Sequence, residues 1–113
     1  MTKRFDPPTS VTLRRGLMRR GQDLATKLAE LMAGTDGDRL LRALGLDAKP
    51  GARPEEILRA ALEQVEQRRR WLDADDDRYG RCDVCGVDLG AASLLEMPWA
   101  DRCQAHPPGA ARP

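Results

Sequence analysis

The sequence predicts a mostly α-helical fold: an antiparallel helical hairpin of coiled-coil character with a short tip helix, followed by a small C-terminal module organised by three cysteines and one histidine. Three observations predict it. Leu17, Leu24 and Leu31 recur every seven residues, a spacing that keeps side chains on one face of a helix. A second amphipathic stretch, carrying Leu58, Ala61, Val65 and Leu72, follows an interruption rich in Gly, Asp and Pro, where the chain reverses. All the cysteines and the only histidine come after both stretches, at Cys82, Cys85, Cys103 and His106.

Residues 1–10, with Pro7-Pro8 and no periodicity, read as a disordered lead-in that ends where Ser10 caps a helix. The first helix is expected from Val11 to Ala33, with Leu28 between the heptad leucines and Ala25 and Met32 widening the stripe. Gly16 and Gly21 weaken it by about 1 kcal/mol each relative to Ala, so packing must hold it. Residues 34–54 form the tip segment: Asp36 or Asp38 caps a short helix with Leu40, Leu41 and Leu44 on its apolar face, Gly45 stops it, and a loop with Pro50-Gly51 follows. Pro54 suits a first helical turn, and Glu55 and Glu56 suit the positive end of a helix dipole. The third helix runs from there to Ala74, with Ile57, Leu62 and Trp71 beside its seam. Helical arms of about 20 residues reach roughly 30 Å. The hairpin thus occupies 11–75, the C-terminal module 76–106, and a flexible tail 107–113.

A chain of 113 residues with few aromatics, 4% of the total, is long enough for one small domain and too short for a large enzyme core. No apolar run exceeds three residues, which argues against a transmembrane helix or a secretory signal and for a cytoplasmic protein. The sequence carries no paired carboxylates in a catalytic context, no nucleophile and base constellation and no phosphate-cradling Gly-rich loop. A non-enzymatic role is expected.

The chemistry lies in Cys82-x2-Cys85 and Cys103-x2-His106, separated by seventeen residues. Two residues between ligands let a tight turn aim both at one ion, and two such knuckles complete a tetrahedron. Four protein ligands leave no open position for water, so the expected site is one structural Zn²⁺ without hydrolytic chemistry. Gly86 supplies the positive φ that turns amides toward the sulfurs, and Arg81 or Arg102 would offset the site's negative charge. Tyr79, Val84, Val87, Leu89, Leu94, Leu95 and Trp99 form the expected packing set. A thioredoxin-like redox pair would want a βαβ context that the preceding helices do not supply.

The run Tyr79-Gly80-x-Cys82-x-x-Cys85-Gly86-x-x-Leu89, continuing through Leu94-x-x-x-Pro98-x-Ala100-Asp101-x-Cys103-x-x-His106, closely resembles the zinc-finger segment of the DksA/TraR family of transcription regulators. The resemblance covers about residues 78–106. It implies a globular zinc domain carrying a helical hairpin, which binds bacterial RNA polymerase through the secondary channel, in some cases together with the nucleotide alarmone ppGpp. His106 stands where a cysteine is more typical, and Ser93 where the family often has Arg. The tip motif Asp-x-x-Asp-x-Ala has no literal copy here, the nearest acidic feature being Asp36-x-Asp38.

The net charge of +1 conceals blocks of opposite sign. Arg14, Arg15, Arg19 and Arg20 lie early in the first helix and Arg68, Arg69 and Arg70 late in the third, so antiparallel pairing gathers them near the knuckles. Arg14, Arg15, Arg69 and Arg70 are therefore candidate partner-binding residues, as are Asp36 and Asp38 at the tip. The same arginines suit nucleic-acid phosphates, while Asp73, Asp75, Asp76 and Asp77 suit their neutralisation. The leading expectation is polymerase binding. The alternatives are a zinc-finger nucleic-acid binder and a non-catalytic helical adaptor.

Overall fold

The computed structural model describes residues 4–107. Four helices form, α1 (Pro7–Met32), α2 (Gly37–Ala43), α3 (Pro54–Asp73) and α4 (Ala91–Glu96). Among the described residues there is no strand, only an isolated antiparallel bridge between Arg81 and Asp88.

Helix α1 begins at Pro7, which corrects the disordered lead-in expected over 1–10 for its described part, residues 4–10, and the cap expected at Ser10. Asp6 is the cap: its carboxylate accepts from the Thr9 N–H at 2.9 Å. That hydrogen bond holds the Asp6 carboxyl below its ordinary pKa. Pro7 and Pro8 fall in the first turn, where no intrahelical N–H is needed. Arg4 and Phe5, also expected to be disordered, dock on the C-terminal module. Arg4 donates to the carbonyl of Tyr79 and pairs with Asp88 at 3.0 Å, and the Phe5 ring meets Tyr79 edge-on at 5.9 Å. Residues 1–3 of the expected lead-in, and residues 108–113 of the expected tail, lie outside the described residues.

Helices α1 and α3 pack along each other. Leu13, Leu17 and Leu24 from α1 share one buried cluster with Leu58, Val65 and Leu72 from α3. Their contacts run in opposite order: Arg14 meets Asp73, a Cβ at Gly21 would lie 3.7 Å from Val65, and Gly37, just past α1, abuts Pro54. Asp36 caps α2, accepting from the Asp38 N–H at 3.2 Å. Leu40, Leu41 and Leu44 are buried. At Gly45, φ is 69°, and the next N–H, of Leu46, returns to Leu41 O at 2.9 Å, the closure that a left-handed residue makes at a helix end. The same closure ends α3 without a glycine. Asp75 takes φ 53°, a region that Asp tolerates better than most residues, and the Asp76 N–H reaches Trp71 O at 2.8 Å.

Helix α4 lies between the two Cys/His knuckles, where the periodicity predicts no element, since six residues are too few to show one. Its Leu94 joins Tyr79 in the same cluster as the α1 and α3 leucines. One core therefore spans the paired helices and the C-terminal module. The tightest approach is at Gly16, where a Cβ would lie 2.5 Å from Pro98 Cγ. This glycine, read above only as a weakness in α1, is where the module seats. Tyr79 is buried and donates its hydroxyl to Pro98 O at 2.9 Å. Of the expected packing set, Val87 and Leu95 are exposed instead: Val87 follows the turn at Gly86, and Leu95 lies on α4 beside the buried Leu94 but outside the core cluster.

Candidate metal centre

Cys82, Cys85, Cys103 and His106 come together, with their ligand atoms all within 4.8 Å of one another. The sulfurs of Cys85 and Cys103 are 3.7 Å apart, and His106 Nδ1 lies 3.3 Å from the Cys103 sulfur and 3.9 Å from that of Cys82. The local backbone explains the arrangement. Gly86 takes φ 76° and sends its own N–H to Cys82 O at 2.8 Å, while the following N–H, of Val87, serves the Cys85 sulfur. In the second knuckle the His106 N–H closes on Cys103 O at 3.0 Å. The knuckles are tied to each other by the Asp83 N–H, which donates to Asp101 O at 2.8 Å.

The electrostatics suit a cation. Desolvation pushes the Cys82 thiol up, but N–H groups of Cys85, Cys103 and Val84 aimed at its sulfur outweigh this and bring it down to about 6. Cys85 moves the other way: the Val87 N–H lowers it, while desolvation and the neighbouring Cys103 and Cys82 thiols together raise it further. The Cys82 thiolate thus forms readily while Cys85 resists ionisation beside its neighbours, the situation that a bound cation relieves. Three soft sulfurs and an imidazole nitrogen at these separations can hold a metal ion.

Helix α3 positions both knuckles, through Arg68, expected above only as part of a surface patch, and Gln64, which carries no sequence signal. Arg68 is only 5% exposed and grips both carboxylate oxygens of Asp83 at 3.0 Å, inside the first Cys-x-x-Cys turn. Its guanidinium lies over the Trp71 ring, 4.6 Å from the centroid, and that ring also contacts Arg78 at 4.7 Å. One turn earlier, the Gln64 amide donates to Trp99 O at 3.2 Å and to Asp101 at 3.0 Å, beside the second knuckle. Asp83 and Asp101 were legible as polar residues next to ligands, the place where orienting partners stand. That α3 supplies those partners was not.

The expected arginine patch is broken up. Arg68 is buried, Arg14 pairs with Asp73 at 2.6 Å and Arg69 with Glu66 at 2.7 Å. Arg14 finds its carboxylate on the facing helix, Arg69 on its own helix and Arg68 in the first knuckle, so these three charges are met within the fold. Arg70 is exposed, and Arg15 lines a separate groove between α1 and α4. Asp36 and Asp38 lie at α2, away from the four metal-ligand candidates, with Asp36 engaged as a helix cap. No helix among the described residues is long and apolar enough to cross a membrane. Comparison of the chain with protein-family models, with curated proteins and with solved structures finds no match.

Proposed function

We propose that the chain is a DksA/TraR-like transcription regulator that binds bacterial RNA polymerase near its secondary channel. In this reading α1 and α3 are the arms of a helical hairpin, α2 is its tip, and the Cys3His group is a structural zinc finger at its base. The protein acts in the cytoplasm without enzymatic activity, and ppGpp is a candidate co-effector. The observation that carries the reading is the attachment of the four-ligand group to α3 through Gln64 and Arg68, with the acidic Asp36 end of the helices remote from it.

Zinc is the metal that the donors favour. Zn–S bonds of about 2.3 Å and a Zn–N bond of about 2.0 Å in a tetrahedron put sulfurs about 3.8 Å from each other and about 3.5 Å from the nitrogen. The Cys85 to Cys103 spacing of 3.7 Å and the His106 to Cys103 and Cys82 spacings of 3.3 and 3.9 Å lie close to those values. A zinc ion with four protein ligands supplies a crosslink and no open position for chemistry. The nucleic-acid reading is weaker, because Arg14, Arg68 and Arg69 spend their charge on Asp73, Asp83 and Glu66.

The test is binding to purified polymerase followed by transcription in vitro. Cys85→Ala should abolish binding by undoing the finger. Asp36→Asn with Asp38→Asn should leave binding intact and change the transcriptional output, since Asn caps a helix as well as Asp does and only the tip charge is lost. A metal-loaded chain with no affinity for polymerase would overturn the reading.

A further inference from the structure

Between α1 and α4 lies a groove of about 430 Å³, within the range of roughly 300–1,000 Å³ that binding clefts occupy. One wall carries Arg15, Arg19 and Arg20, and the floor is Leu95, Pro98 and Trp99. Arg15 and Arg19 are four residues apart on α1, so their Cα atoms rise about 6 Å along one helix edge. Among the described residues none of the three arginines has a carboxylate oxygen within 4.0 Å, a state shared with Arg39, Arg42, Arg70 and Arg102, whereas Arg4, Arg14, Arg53, Arg59, Arg68, Arg69, Arg78 and Arg81 all have one.

Arg20 is the most telling of them. Its Nε is buried with no hydrogen-bond partner, and its guanidinium lies 4.4 Å from the centre of the Trp99 ring. Burial depresses its pKa, and the Asp23 charge only partly offsets this. A buried N–H without an acceptor is destabilising, so Arg20 carries an unmet hydrogen-bonding requirement at the edge of the groove. The floor is held ready: Gln64 fixes the Trp99 carbonyl, Pro98 is clamped between Gly16 and the Tyr79 hydroxyl, and Leu95 is 46% exposed.

We propose that this groove docks an acidic protein segment carrying an apolar anchor, with the anchor on Leu95 and Trp99 and the carboxylates on Arg15, Arg19 and Arg20. Asp23 and Glu96 also line the groove, which favours a segment with spaced charges over a nucleic-acid backbone. A continuous row of phosphates would meet two like charges and leave the apolar floor uncovered, whereas a peptide alternates charged and apolar side chains and avoids both penalties. Polymerase need not be the protein that docks here. The groove would serve any protein that presents such a segment.

Selection from a displayed random-peptide library against the full, metal-loaded chain tests it. Enriched peptides should carry Asp or Glu on both sides of a large apolar residue. Their synthetic versions should weaken by at least about tenfold, as a hot-spot contact does, on Arg15→Ala with Arg19→Ala and separately on Leu95→Ser. These side chains are exposed, so the thermal midpoint should hold, and it serves as the control for folding. Failure to enrich acidic peptides, or enriched peptides indifferent to both variants, overturns the proposal. So does displacement of the peptide by short duplex DNA with a steep dependence on salt, which would transfer the groove to nucleic acid.

Discussion

At the scale of single residues, two glycines in one helix have opposite roles. Gly16 and Gly21 each lower the helix propensity of α1, yet a Cβ at Gly16 would collide with the Pro98 ring at 2.5 Å, while one at Gly21 would make ordinary contact with Val65 at 3.7 Å. Gly21→Ala should therefore stabilise the protein by up to about 1 kcal/mol, and Gly16→Ala should destabilise it by about 1–3 kcal/mol through overpacking. Thermal denaturation of the two variants reads both signs. Asp76 gives a second prediction. Its carboxylate accepts from the Arg78 guanidinium and backbone N–H, which lowers its pKa from 3.8 to about 2. A carboxylate depressed in the folded state contributes stability above its unfolded value and loses it as pH falls through the folded one, so this contribution fades between about pH 4 and pH 2. An NMR titration should place the Asp76 midpoint near the lower limit, and Arg78→Ala should move it up toward the ordinary value.

At the scale of elements, α3 is both a packing helix and the support of the metal centre. Its apolar seam was legible because Leu58, Val65 and Leu72 keep helical spacing, but Arg68 sits in that seam and reads from sequence as one of three consecutive surface arginines. Only the position of Asp83 explains why it is buried. Arg68→Ala should lower metal affinity by about 10- to 100-fold, the usual cost of losing an orienting partner, measured by competition against a chelator. Arg68→Lys should fall between the variant and the parent, since an ammonium keeps the charge but not the two-pronged grip. Unchanged affinity in both would mean that the knuckle holds its shape without α3. Helix α4 stayed hidden for a different reason: its single buried leucine gives no period to detect.

At the scale of the whole molecule, Tyr79 and Leu94 share one core with Leu13, Leu17 and Leu72, so the C-terminal module and the paired helices should melt together. Removing the metal with a chelator should unfold the knuckles and retain most of the helical signal, because α1 and α3 keep their mutual leucine contacts. It should also lower the thermal midpoint of the remainder, since the N-terminal half of α1 loses Pro98, Tyr79 and Leu94. Circular dichroism at rising temperature, with and without chelator, separates these effects. A midpoint unmoved by metal removal would show two independent units.

The sequence by itself determined the mostly helical class, the periodic faces of α1 and α3, the short helix stopped at Gly45, and the four residues able to hold a metal. Each of these is a local signal: a hydrophobic period, a turn residue, or two ligand pairs of matched spacing. What only the tertiary structure decided is everything that depends on meeting a distant partner. Asp6 rather than Ser10 starts α1, and Arg4 and Phe5 are ordered because Tyr79 and Asp88 await them. Arg14, Arg68 and Arg69 are neutralised by carboxylates while Arg15, Arg19 and Arg20 are left facing a groove. The physical reason is that a charge or a glycine carries the same local preference wherever it stands, and its consequence is set by what the fold places within a few ångströms of it.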